Sequence, residues 1–162
     1  MSSIEDNPVW KLIDGSAYLL LNKLFEPREN SLTIVLEEAV VHESHRGTRV
    51  IASAAFSGVA PIEPSETTFV FEVHWKNYVS YCVTEEMHGS CGEYDDEEHT
   101  GRRFRVYSRS HFLDFVQKDT GAHSEPYRHY KIVCENHMID VASSTAPELT
   151  ASSRGGARLA DA

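Results

Sequence analysis

The run from Thr68 to Trp75 constrains the fold of this chain more than any other feature. Phe69, Phe71, Val73 and Trp75 occupy every second position, while Thr68, Glu72 and His74 take the other face. Successive side chains of an extended backbone point to opposite sides, so this run predicts a strand with one face in a core and one in water. Leu32, Ile34 and Leu36 alternate with Thr33, Val35 and Glu37 in the same way. Residues 50–59 read as a strand of small side chains, entered by a turn at Arg46-Gly47 and ended by Pro61 and Pro64. Tyr78 to Val83 follows Lys76-Asn77 and is expected to pair with 68–75 as a hairpin, or to continue it as a bent strand. Phe104 to Tyr107, Tyr127 to Val133 and Met138 to Val141 supply later strands, the last two joined by a tight turn at Glu135-Asn136.

Helical spacing is confined to two places. Val9 to Phe25 fits a short helix capped by Asn7, with Pro8 at its first position, followed by a strand; a hairpin turning at Asp14-Gly15 is the other reading. Phe112, Leu113, Phe115 and Val116 recur at helical intervals, with Ser108 or Ser110 as cap and Gly121 just beyond, so a helix is expected near Ser110 to Lys118. Together these elements predict one β-dominated α+β domain over residues 1–142, an antiparallel sandwich or strongly curved sheet of about seven strands with one or two short helices. Beyond it, residues 143–162 turn to Ala, Ser, Thr, Gly and Arg. Such a tail has too little apolar surface to offset chain entropy and is expected to be disordered.

Charge narrows the partners. Across 162 residues, 25 acids face 15 lysines and arginines, for a formal net charge of −10. That field repels phosphate backbones and anionic lipid, and it speeds encounter with basic proteins. Nucleic acid and membrane surfaces are therefore not expected partners, although Arg102, Arg103, Arg105 and Arg109 form a local basic patch. The first residues lack the basic and apolar runs of a secretory signal, and no stretch is apolar enough to span a bilayer. Three cysteines, Cys82, Cys91 and Cys134, are an odd number and suit free thiols in a reducing, cytoplasmic setting.

The acids are concentrated. Glu85 to His99 holds seven of them and two histidines, without a lysine or arginine. Between strand-like runs this tract reads as an acidic loop on a rigid scaffold. Adjacent acids point opposite ways and the loop lacks the glycine an EF-hand needs, so a solvated loop accounts for it better than a calcium site. Two spacings, His88-x-x-Cys91 and Cys134-x-x-His137, offer a tetrahedral zinc set if the fold brings them together, though neither is a standard zinc knuckle. No nucleophile elbow or phosphate-cradling glycine loop is present, and His137 and Asp140, three apart on a strand, should face opposite sides. Glu72 and His74, with Tyr78 and Tyr81 close in sequence, form a polar and aromatic face suited to protein contact.

The runs Trp75-Lys76-Asn77-Tyr78-Val79-Ser80-Tyr81 and Phe104-Arg105-Val106-Tyr107-Ser108-Arg109-Ser110, with the ending from His129-Tyr130 to His137-Met138-Ile139-Asp140-Val141, resemble a group of small bacterial β-rich proteins. The resemblance covers rather less than half of the chain and implies a fold without an activity. The expectation is a non-catalytic acidic module that masks a basic protein partner, as an inhibitor or immunity protein does, through Glu93, Tyr94, Asp95, Asp96, Glu97 and Glu98, with no cofactor. The alternative is a zinc-stabilised domain or metal-dependent enzyme using His88, Cys91, Cys134 and His137. Whether the arginines at 102–109 neutralise the acidic loop decides how much of its charge reaches a partner.

Overall fold

A computed structural model describes residues 3–51, 54–88, 96–119 and 126–155. Helix α1 (Pro8–Gly15) opens with the Asn7 carboxamide accepting from the Val9 amide at 2.8 Å, and Pro8 occupies the position whose amide would lack a partner anyway. The helix reading of this segment therefore holds over the hairpin. It leads into β1 (Tyr18–Phe25), which pairs with β2 (Leu32–Val41).

The two alternating runs that dominate the sequence lie side by side. β2 pairs with β6 (Phe69–Trp75) in a register that sets Leu32 opposite Trp75, Ile34 opposite Val73 and Leu36 opposite Phe71. All six are fully buried, and the pairing lays both apolar rows on one face of the sheet. Glu72 stays exposed on the other face, where His74 Nδ1 meets Thr33 Oγ1 at 2.8 Å. The first sheet runs β1-β2-β6-β12, the last being Glu148–Ser153, with the two-residue β5 (Ile62–Glu63) pairing with β2.

The second sheet has the order β7-β11-β10-β9-β8: β7 (Ser80–Glu85), β8 (Glu98–Thr100), β9 (Phe104–Arg109), β10 (Arg128–Val133) and β11 (His137–Ser143). One core draws on both sheets, for Trp75 of β6 packs against Phe104 at 6.5 Å and Tyr130 at 5.8 Å between ring centres. Each such fully buried side chain contributes about 1.5–3 kcal/mol. Helix α2 (His111–Asp119) lies against β10 and β11. The architecture is β-dominated α+β, with two antiparallel five-stranded sheets, a two-stranded sheet of β3 (Gly47–Ile51) and β4 (Ala54–Val59), and no closed barrel among the described residues.

Three expectations are corrected. Residues 76–79 do not return the chain to β6, which already has β2 and β12 on its two sides; they cross to the other sheet. There the Val79 amide bonds the Ala142 carbonyl at 2.8 Å and β7 pairs with β11. The small-residue stretch 50–59 is not one strand, because Ile51 pairs back with Ala54 as β3 folds onto β4. Nor is the segment after residue 142 wholly a disordered tail: Ser143 is fully buried and β12 (Glu148–Ser153) pairs with β6. An added edge strand is held by ladder hydrogen bonds and needs few apolar side chains; Leu149 and Ala151, both buried, suffice here. Residues 156–162 lie outside the described part.

Candidate functional site

Of the expected partner-binding residues, Glu93, Tyr94 and Asp95 lie outside the described residues, as does Cys91 of the zinc set. The other three, Asp96, Glu97 and Glu98, are tied to their own molecule. Asp96 Oδ2 takes a hydrogen bond from Arg109 at 3.2 Å, and Asp96 Oδ1 lies 2.8 Å from His111 Nε2. The His111 contact, with help from Arg109, holds the Asp96 carboxyl below the usual carboxylate range. Glu97 Oε1 accepts the His111 amide at 2.9 Å, placing a negative charge on the positive end of α2. Glu98 accepts from Ser108. Asp96 and Glu97 thus act first as the brace of the α2 N-terminus, while Glu98 is held to β9.

The arginines divide. Arg109 serves Asp96, whereas the Arg102 and Arg103 guanidiniums turn to the carbonyls of Ser16 and Ala17, and Arg103 Nη1 pairs with Glu135 at 2.8 Å. They belong to a corner where Asp14 Oδ1 accepts three successive backbone amides, from Arg102, Arg103 and Phe104, at 2.5, 2.8 and 3.0 Å. The basic patch read from the sequence is therefore not one surface.

The zinc residues are differently placed. His88 is exposed and contacts Glu85, while Cys134 belongs to the core and its amide bonds the His137 carbonyl at 2.9 Å. Burial pushes the Cys134 thiol up to about 12, opposing the thiolate that zinc requires. Among the described residues no three histidine, cysteine or acidic side chains cluster as a metal would need.

A polar constellation that spacing did not reveal lies on the outer face of the second sheet. His129 Nδ1 is 2.9 Å from Ser110 Oγ, and its Nε2 is 2.8 Å from Asp140 Oδ1, which Lys131 also reaches at 3.3 Å. Tyr107 stacks on the imidazole with ring centres 4.2 Å apart, and Phe112 flanks it at 5.0 Å. Burial alone pushes Asp140 up, but the His129 hydrogen bond and the Lys131 charge leave it below the usual range. An ionised carboxylate only accepts, so His129 Nε2 carries the proton shared with Asp140. The order serine, imidazole, carboxylate is that of a hydrolytic triad. Here, however, Ser110 Oγ also accepts the Leu113 amide at 3.1 Å as the cap of α2, and Ser110 and His129 are each only 2% exposed. A substrate carbonyl has no approach to such an oxygen. The network fixes α2 to the sheet.

Tyr78 and Tyr81 part from Glu72 and His74 when the chain changes sheets. Their rings meet edge to face at 5.0 Å, and both hydroxyls donate to Glu26 Oε1, at 2.7 Å from Tyr78 and 3.3 Å from Tyr81. The hydrogen bond to Glu26 pushes the Tyr78 phenol up to about 12. Glu26 follows β1, more than fifty residues from either tyrosine, so no local spacing marked it.

No protein family model matches the chain, and neither a curated protein nor a solved structure is significantly similar to it. Among the described residues no helix is long and apolar enough to cross a membrane.

Proposed function

We propose that this chain is a non-catalytic acidic protein-binding module that masks a basic surface of a partner protein, as an inhibitor or toxin-neutralising immunity protein does. The observation that supports it is how the charges are used. Arg46, Lys76, Arg103, Arg109, Lys131 and Arg154 each lie against an acid of the same chain. Exposed Glu26, Glu29, Glu66, Glu72 and Glu86 have no cationic partner among the described residues. These five surface carboxylates on a braced β scaffold carry part of the excess of −10. Complementary charge of this kind raises the rate of encounter and rejects wrong partners.

Other parts of the reading follow from this one. The two five-stranded sheets form the faces of an antiparallel sandwich, with Trp75 meeting Phe104 and Tyr130 between them. A reducing cytoplasmic setting suits the free thiols of Cys82 and Cys134. The resemblance of the Trp75–Tyr81 and Phe104–Ser110 runs to small bacterial proteins favours a bacterial partner. Affinity capture from the native host tests the core of the proposal: a discrete basic protein should be retained at low salt and released as salt rises. Retained proteins no more basic than the extract, or retention indifferent to salt, overturn it.

A further inference from the structure

We infer that Glu26, Tyr78 and Tyr81 form a receptor for one arginine or lysine side chain of the basic partner. The inference rests on the partner-masking reading and names the place where a cation of that partner is held.

The geometry begins with rigidity. The turn after β1 is closed by Ser31, whose Oγ accepts the Arg28 amide at 3.0 Å and donates to the Arg28 carbonyl at 2.8 Å. Asn30, at φ 60°, directs its own carbonyl to the Tyr78 amide at 2.9 Å. Tyr81 sits in β7 opposite Val141 of β11. The turn that follows Glu26 is thus tied to Tyr78, and Tyr81 is held by the pairing of β7 with β11.

The chemistry is that of an incomplete ion site. Both phenols use Glu26 Oε1, and no described group bonds Oε2. No lysine, arginine or histidine among the described residues pairs with this carboxylate. With its phenol pushed up to about 12, Tyr78 stays a neutral donor to Glu26 at physiological pH. A cation arriving at Oε2 gains a charge-assisted hydrogen bond, and the half-buried tyrosine rings beside it add an aromatic face that attracts positive charge. A guanidinium satisfies both demands better than an ammonium, since it is flat and weakly hydrated. Phosphate or another anion is repelled by the same carboxylate.

The test titrates the intact protein with a hexa-arginine peptide while the ring signals of Tyr78 and Tyr81 are followed by NMR. Those signals should shift saturably. Glu26→Gln should weaken binding at least about fivefold, the scale of one charge-assisted contact with a cation–π component. Glu148→Gln, which removes an acid already paired with Lys76 of the same chain, should leave it unchanged. Equal weakening in both variants means general charge attraction and overturns the inference. So does peptide binding that moves other residues while Tyr78 and Tyr81 stay still, and so does an absence of binding. Capture from the native host judges the partner reading separately, so a captured basic protein with silent tyrosines refutes this receptor alone.

Discussion

The Asn136 carboxamide holds both backbone polar groups of Leu21, accepting its amide at 2.9 Å and donating to its carbonyl at 3.1 Å. Leu21 stands where the pairing of β1 with β2 slips, so its backbone groups need a partner outside the ladder. The Glu135 amide adds a bond to the Leu19 carbonyl at 2.8 Å. The β10–β11 turn is thereby tied to the edge of the opposite sheet. Replacing Asn136 with Ala leaves two half-buried backbone groups unpaired and should cost about 1–3 kcal/mol. A urea midpoint lowered without a change in slope is the expected result.

Gly101 sits at the neighbouring corner with φ +83°, and a Cβ there would stand 2.3 Å from the Phe104 carbonyl and 2.9 Å from the Trp10 ring. Gly101→Ala should destabilise by at least about 2 kcal/mol, from backbone strain and collision together. Gly155→Ala is the control, because its Cβ meets nothing closer than 4.0 Å. Thermal unfolding should separate the two variants clearly.

Much of this fold was legible because it depends on local periodicity. The β2 and β6 runs announced their buried faces, Asn7-Pro8 announced α1, and Glu135-Asn136 announced the β10–β11 turn, since each signal lies within a few residues of the element it marks. What escaped the sequence was pairing at a distance. Lys76-Asn77 has the chemistry of a hairpin turn, yet the competition of β2 and β12 for the edges of β6 sends the chain to the other sheet. β12 looked like tail because its stability comes from hydrogen bonds to β6 rather than from its own composition. The same limit applies to the site. The acids at 96–98 were visible, but their engagement by Arg109, His111 and the α2 N-terminus was not. The joining of Glu26 to Tyr78 and Tyr81 required the folded chain.

The buried network at α2 makes a graded prediction. Ser110→Ala removes a helix cap and should cost about 1 kcal/mol, whereas His129→Ala also leaves a cavity between Tyr107 and Phe112 and should cost about 2–4 kcal/mol. Because the two side chains share one hydrogen bond, the double variant should lose less than the sum of the single losses. Denaturation of all three variants measures the coupling.

Asp140 gives the pH dependence. Its carboxyl is held below the usual range in the folded protein, so its contribution is present above the unfolded value of about 4 and is lost as pH falls through the folded value. Stability should therefore decline on the acid side of about pH 4. Asp140→Asn should be less stable at neutral pH and flatter across that acid limb. An unchanged acid limb in the variant would assign the decline to other carboxylates.

The account rests on surface carboxylates that meet a cationic partner instead of cations of their own chain. Its most direct test is the dissociation constant of the captured basic protein, measured for the intact chain across a salt series. Affinity should fall at least about tenfold between roughly 50 and 300 mM salt, as expected for association led by exposed charge. An affinity that salt leaves unmoved contradicts the account.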